Sequence, residues 1–533
     1  MKPWRDTNAI YQIYPRSFYD TNADGVGDLR GIIEKLDYIK DVLVIDAIWM
    51  SPIYCSPMAD YGYDVSDYRN IDPVFGTLDD FKELLEQAHQ RGIRVMMDIV
   101  PNHTSEQHAW FQESRASRDN PKRDWYVWRD AKSDGTPPNN WLSQSGGPAW
   151  TLDEKTGQYY LHSFMPEQPD LNWENPMVRE AMKDVMRYWY DMGVDGFRVD
   201  AVWGLSKDPH LTDDPRNPEF EGSPNEYGYY IHRSCKQGPY FIERLSEIVD
   251  VAKEYQDRFV IFEYYPDDKL GDIMQQYREV YAIDPSVAAS FFFEGFRQPW
   301  NAAQFGTIYH EFFASLAEGA LPASSISNHD QPRIASRLDA ERARIMAMMQ
   351  LTLPGLPLVY YGDEIGMEDV VLTADEVRDQ FDAATGTFGG RDPERTPMQW
   401  DATQYAGFST VKPWLPVSPN HTTMNVDAQL RDDDSILTLH RWLIQLRSES
   451  ETIRRGWFET IDVNNGYVFA FKRSSDAERY YIVLNFDNHE QRVQLPESCA
   501  VVRSSHTYDT VEIAGDNSLI LYPYQGIIVK ANT

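Results

Sequence analysis

Four short segments of the chain carry acidic residues with polar helpers beside them: DIVPNH (Asp98 to His103), GFRVDA (Gly196 to Ala201), VIFEYYP (Val260 to Pro266) and ISNHDQPR (Ile326 to Arg333). Asp200, Glu263 and Asp330 are the acids that could share the cleavage of a glycosidic bond. That reaction needs one carboxylate to attack, one carboxylic acid to protonate the leaving oxygen, and further negative charge near an oxocarbenium-like transition state. Arg198, two residues before Asp200, would keep an attacking carboxylate ionised and aimed. Glu263 follows an apolar run and precedes Tyr264, Tyr265 and Pro266, a setting that suits a general acid entering the reaction with its proton.

Such residues need rigid supports. Apolar runs that read as strands recur at Ala9 to Tyr14, Ala47 to Met50, Val95 to Val100, Gly196 to Val199, Val260 to Phe262, Ser324 to Ser327 and Leu356 to Tyr361. Patterns with apolar residues three to four positions apart predict helices at Leu29 to Lys40, Leu78 to Arg91, Val178 to Met192, Phe241 to Tyr255 and Ala340 to Leu353. Alternating strand and helix implies a parallel sheet with helical crossovers. Asp98, Asp200, Glu263 and Asp330 each fall where a run ends, as the loops of an eight-stranded α/β barrel require. A doubly wound sheet also binds ligands at strand ends, but no glycine-rich phosphate loop follows the first run.

Between His103 and Leu171 the periodicity fails and Pro, Asn, Gly and Trp dominate, which is too long for an ordinary loop. A small inserted domain over the active-site mouth is expected there. A second irregular segment spans Gly366 to about Asp433, and a last helix fits Ile436 to Leu446. From about Trp457, runs such as YVFAFKR, YYIVLNF and GIIVKA read as antiparallel strands of a C-terminal β-sandwich. The expected architecture is a (β/α)8 TIM barrel from residues 1–103 and 172–455, interrupted at about 366–433. An inserted domain after the third strand takes 104–171, and the C-terminal β-domain takes 456–533.

At 533 residues the chain is long enough for one large core with smaller domains attached. A net charge of -33 repels nucleic acid and anionic membrane surfaces, so neither is an expected partner. The 15 Trp and 32 Tyr offer flat apolar rings that suit the apolar faces of sugars. Cys55, Cys235 and Cys499 show no metal-ligand spacing and an odd count makes no disulfide framework, so reduced structural thiols are expected. The opening MKPWRDTNAIYQIYPRSF lacks the plan of a secretory signal and no apolar run has membrane-spanning length, which points to a cytoplasmic protein.

Taken together with QPDLN (Gln168 to Asn172) and YGDEIG (Tyr361 to Gly366), the four segments resemble those of glycoside hydrolase family 13, the α-amylase superfamily, over nearly the whole chain. The look is nearest to its exo-acting α-glucosidases and oligo-1,6-glucosidases. The resemblance implies Asp200 as nucleophile, Glu263 as acid and base, and Asp330 as the acid that stabilises the transition state. It implies His103 and His329 as donors to the same sugar, Tyr63 as the ring on which the cleaved glucose stacks, and Asp98 as a support for Arg198. Asp60 and Arg391 resemble the pair that grips the non-reducing-end glucose, although Arg395 lies in the same motif. Phe164 is expected to line the pocket. Phe262 stands where relatives have Gly, and Ser145 in SGGPAW stands where they often have an aromatic residue, which would open the acceptor side.

The loop Asp20, Asn22, Asp24, Val26, Asp28 places oxygen donors at alternate positions with Gly25 permitting a sharp turn, the pattern of a Ca²⁺ loop. Gly31 at the twelfth position rules out an EF-hand. Family members with this loop bind Ca²⁺ or Mg²⁺ structurally; the alternative is a metal-free acidic turn capping the helix from Leu29. No cofactor is required for the chemistry itself. Ala201 after the nucleophile goes with α-1,4 linkages in the resembling enzymes, whereas QPDLN goes with oligo-1,6-glucosidases. The expected activity is a retaining exo-α-glucosidase that prefers α-1,4 bonds, taking maltose, short malto- or isomalto-oligosaccharides or sucrose. Oligo-1,6-glucosidase, glucosyltransferase or sucrose isomerase are alternatives, and a non-catalytic member of the superfamily is a remote one. Either a monomer or a homo-oligomer fits.

Overall fold

The computed structural model describes residues 2–380, 390–507 and 511–532. Eight parallel strands form one sheet: β1 (Ile10–Ile13), β2 (Ala47–Met50), β3 (Arg94–Ile99), β4 (Gly196–Val199), β5 (Phe259–Phe262), β6 (Ala288–Ser290), β7 (Ala323–Ser325) and β8 (Leu356–Tyr360). Neighbours run β6-β5-β4-β3-β2-β1-β8-β7. A parallel bridge between Phe291 and Ala323 then joins β6 to β7 and closes the barrel. Every residue of β1 to β6 and of β8 is buried. Strands covered on both faces read as continuous apolar runs, which is why seven of the eight are visible in the sequence. The exception is β6, whose Ala288, Ala289 and Ser290 have no β-branched or aromatic character and pair only because β5 lies beside them.

The crossover helices start and stop where local chemistry demands. Helix α1 (Leu78–Gln90) opens with a reciprocal cap between Thr77 and Asp80. Helix α2 (Pro176–Met192) is capped by Asn175, has Pro at its first position and ends on Gly193 at φ 115. The helix expected over Leu29 to Lys40 is not continuous: it stops at Glu34, and a wide π-type turn takes over from Tyr38 to Val42. Helices α3 (Phe241–Lys253), α4 (Ala340–Thr352) and α5 (Ile436–Glu449) follow the remaining predicted segments closely.

Between β3 and β4 lies a three-stranded antiparallel sheet with Gln158–Leu161 between Trp128–Asp130 and Trp150–Asp153. Its neck is held by the bridge from His103 to Asp170, whose carboxylate also accepts from Ser163 and pairs with Lys207 at 3.0 Å. After β8 the chain is irregular up to Val426; residues 381–389 of that stretch lie outside the described residues. The C-terminal strands form a five-stranded antiparallel sheet and a two-stranded one, with Val468, Val483, Val493 and Leu519 in one core between them. Among the described residues no helix is long and apolar enough to cross a membrane. The three cysteines are free, as expected.

Candidate active site

The barrel ladder itself delivers the acids. Register pairs Asp98 with Arg198 across β3 and β4, and Val199 with Phe262 across β4 and β5. The pairing runs one residue past the strand ends, with Asp200 N–H donating to Ile99 O and Glu263 N–H to Val199 O, both at 2.9 Å. Asp200 and Glu263 are thereby pinned side by side at the rim, 6% and 8% exposed. Immediately after, Ala201 takes a left-handed conformation at φ 43, unusual for a residue with a Cβ, and its N–H donates to Glu263 Oε2 at 2.9 Å.

One guanidinium serves three acids. Arg198 Nη1 bonds Asp98 Oδ1 at 2.9 Å and also Asp200 Oδ1, while Nη2 meets Glu263 Oε1 at 2.8 Å. Burial pushes Asp98 up to about 7 despite Arg198, with Glu263 adding to the rise. Burial likewise lifts Asp200 well above the usual carboxylate range against the pull of Arg198, with Glu263 and Asp98 pushing the same way. Arg198 thus faces three buried carboxylates at once, and burial together with their mutual repulsion keeps Asp98 and Asp200 high against its pull.

Asp330 lives in the opposite field. Its Oδ1 receives Arg391 Nη1 at 3.2 Å and Arg395 Nη2 at 3.0 Å. Burial works to raise it, but His329, Arg391 and Arg395 outweigh that and hold it well below the usual range. Burial drives His329 down to about 3, so the ring is neutral and the arginines carry the effect. His329 stacks on Tyr63 with ring centroids 5.4 Å apart, and the Tyr63 hydroxyl reaches His329 Nε2 at 2.7 Å and Asp98 Oδ2 at 3.1 Å. One network therefore connects all the acids.

Asp60 closes one end of the site. Its Oδ1 meets Arg391 Nη2 at 2.6 Å, and its Oδ2 accepts from Gln168, which also touches His103 Nε2. Of the two arginines in GRDPER, only Arg391 reaches Asp60; Arg395 instead donates to the His329 carbonyl. A cavity of about 400 Å³ opens above these groups, lined by Asp60, Tyr63, His103, Phe164, Asp200, Glu263, Asp330 and Arg391 together with Trp203, Tyr227, Tyr265 and Gln331. Its polar floor and aromatic walls suit a pyranose, whose hydroxyl rim and apolar faces need both.

The α-amylase catalytic domain pattern matches residues 12–456, and the pattern of the α-amylase SusG C-terminal domain matches 468–528. The chain belongs to the α-amylase family. As a member it is a glycoside hydrolase. It is 37% identical to an oligo-1,6-glucosidase of Parageobacillus thermoglucosidasius over 99% of both chains. It is also 37% identical to an α-glucosidase of Apis mellifera, over 91% of this chain and 86% of that one. The crystal structure of the α-glucosyl transfer enzyme XgtA superposes with a TM-score of 0.93 at 38% identity, covering 100% of both chains.

Against the expectations for an α-amylase family member, the structure brings together every substrate-facing residue named from the sequence and adds others. Asp379, from the irregular segment after β8, grips Arg391 through Nε and Nη2 at 2.8 and 2.9 Å; nothing in its local sequence marks it. Gln168 was visible only as part of a motif, without a role. Ser145 itself is buried and bonded to Ser143, and its neighbour Gln144 lines the cavity. Ala201 acts through its N–H, and its side chain is absent from the cavity wall.

In the loop expected to hold a cation, Asp20 accepts from the N–H groups of Asn22, Ala23 and Gly25, Asn22 from Asp24, and Asp24 from Val26. Asp28 caps the helix Leu29–Glu34 through Gly31 N–H and binds Thr21. Among the described residues none of the three loop carboxylates has a Lys or Arg partner within 4.0 Å. An all-oxygen set of uncompensated negative charge fits a hard divalent cation.

Proposed function

We propose that the protein is a retaining exo-α-glucosidase that releases glucose from the non-reducing end of short α-glucosides. The observation that carries this reading is the single guanidinium of Arg198 held between Asp200 and Glu263. Two carboxylates on adjacent nitrogens of one guanidinium suit the separation of about 5–5.5 Å for a retaining pair better than the roughly 6.5–9.5 Å of an inverting one. Asp200 attacks the anomeric carbon as the glycosidic bond breaks, and Glu263 gives its proton to the leaving oxygen. Glu263 then takes a proton from water, the water oxygen attacks the same carbon, and Asp200 leaves. Arg198, paired with both acids, holds Asp200 and Glu263 side by side for this cycle.

Asp330, kept ionised by its two arginines, stabilises the positive ring of the transition state. Tyr63 and His103 flank the same glucose, and the chain of contacts from Asp379 through Arg391 to Asp60 walls off the space beyond it. An Ala after the nucleophile goes with α-1,4 linkages in the resembling enzymes, and α-1,4 is the linkage preferred in this reading. Incubation with maltose, isomaltose, sucrose and trehalose, followed by NMR, tests this: α-glucose should appear first, and fastest from maltose. Initial β-glucose, or no glucose from any of the four, would overturn it. Transfer of glucose to another acceptor starts from the same intermediate, and the likeness to XgtA favours it as a second reading; the same spectra would show the transfer products.

The Asp20 to Asp28 loop is proposed to hold a structural Ca²⁺ or Mg²⁺ through Asp20, Asn22, Asp24, Asp28 and the Val26 carbonyl. Its contribution there is to neutralise the loop and fix the turn. Chelation should lower the melting temperature, and Ca²⁺ should restore it in the native chain but not in Asp24→Ala.

A further inference from the structure

Beside the substrate cavity lies a buried cluster that the glycosidase chemistry does not use. The carboxylate of Asp214, the imidazole of His232 and the thiol of Cys235 place one donor atom each within 4.8 Å of one another. All are buried, at 3%, 5% and 7% exposure. His232 Nε2–H donates to the Tyr227 carbonyl at 2.7 Å, so in the neutral ring Nδ1 is a bare lone pair. That lone pair faces Cys235 Sγ at 3.3 Å and Asp214 Oδ2 at 3.5 Å. Among the described residues no nitrogen or oxygen donor meets Asp214 Oδ2, while Oδ1 is fixed by Ser234 N–H at 2.7 Å. Two acceptors thus point at each other, and a single thiol hydrogen can satisfy only one.

A cation resolves this conflict. Ligands at tetrahedral positions about 2.0–2.3 Å from a metal sit roughly 3.3–3.6 Å apart, which is the spacing from His232 Nδ1 to each of the other two donors. The hydrogen bond from the far side of His232 to a backbone carbonyl is the support that metal-ligating imidazoles have, and Ser234 does the same for Asp214. Metal binding displaces the Cys235 thiol proton, and the thiolate so formed selects ions of high sulfur affinity. The nearby lysines do not oppose this strongly, since Lys236 pairs with Asp267 at 2.8 Å and Lys207 with Asp170. A small cavity of about 10 Å³ bounded by Cys235, Tyr227 and Trp203 leaves space on the scale of one water for a fourth ligand.

We propose that Asp214, His232 and Cys235 form a binding site for a thiophilic divalent cation, of which Zn²⁺ is the probe. The site would brace the cavity wall. His232 is stacked on Tyr227 at 3.6 Å, Cys235 precedes Lys236, and both Tyr227 and Lys236 line the substrate cavity.

The test is metal binding to the full-length protein after chelation, with Ca²⁺ present to occupy oxygen-only sites. One Zn²⁺ per chain should bind in calorimetry and be lost in Cys235→Ser and Asp214→Asn, but kept in a Cys55→Ser, Cys499→Ser double variant. Co²⁺ should give an intense near-ultraviolet thiolate charge-transfer band in the native chain and in that double variant. Should Cys235→Ser fail to fold, this band decides alone. Zn²⁺ binding unchanged in Cys235→Ser, no Zn²⁺ binding at all, or Co²⁺ binding without the band would each overturn the proposal.

Discussion

Arg198 sets the behaviour of the site at the level of single residues, because it divides one positive charge among Asp98, Asp200 and Glu263. Replacing Glu263 with Gln should lower kcat by about 10²–10⁴, the range that general acid–base catalysis supplies. Activated substrates that need no protonated leaving group should lose far less, and equal losses in steady-state assays of both substrate types would assign the acid elsewhere. Asp200→Asn should abolish the covalent step altogether. The charge-sharing also fixes a sign for pH. Asp98 raises Asp200, so Asp98→Asn removes a repulsion and lets Asp200 ionise at lower pH. The acid limb of the kcat/KM profile should move down in pH even as the rate falls through the lost support of Arg198 and Tyr63. An upward or absent shift would show that Asp200 does not set that limb.

Among elements, the strand ends and the turns after them decide most. The chain leaves β4 through Ala201 at φ 43, which aims one N–H at Glu263. A β-branched side chain is strained there, so Ala201→Val should cost about 1–2 kcal/mol of stability and displace Glu263. Thermal unfolding and kcat measured together check this; an unchanged melting temperature would mean that the turn relaxes. Helix α1 offers a contrasting case, since its capping box touches no part of the site. Thr77→Ala should lose roughly 1 kcal/mol with kcat intact. The crossover helices and most strands are legible because periodicity and caps are local. Strand β6 and the break after Glu34 are not, since Ala288 to Ser290 become a strand only by pairing, and the turn from Tyr38 satisfies packing that the residue pattern does not encode.

For the molecule as a whole, the C-terminal β-domain is clamped to the barrel. Trp300 stacks on Phe486 at 4.2 Å and donates to its carbonyl at 2.8 Å. Trp300→Ala should lower stability by about 2–3 kcal/mol, below the roughly 3–5 kcal/mol for a fully buried Trp, because its ring is only partly covered. Trp300 does not line the substrate cavity, so KM for maltose should be unchanged, which steady-state kinetics would check. The net charge of -33 coexists with Arg333, Arg395, Arg447 and Arg473, all buried among carbonyls and acids. The surface is strongly acidic while the interior uses arginine as its connector.

The sequence by itself determined the reaction class and the order of the acids, because Asp98, Asp200, Glu263 and Asp330 sit in short motifs at strand ends where a parallel barrel must display them. It also carried the barrel and the C-terminal sheet, whose apolar runs record burial directly. Only the tertiary structure decided which arginine meets Asp60, that Asp379 holds that arginine in place, that Ser145 turns inward, and that Asp214 meets His232 and Cys235. These are contacts between segments far apart along the chain, formed by side-chain reach and shared burial, and spacing along a sequence contains no measure of either.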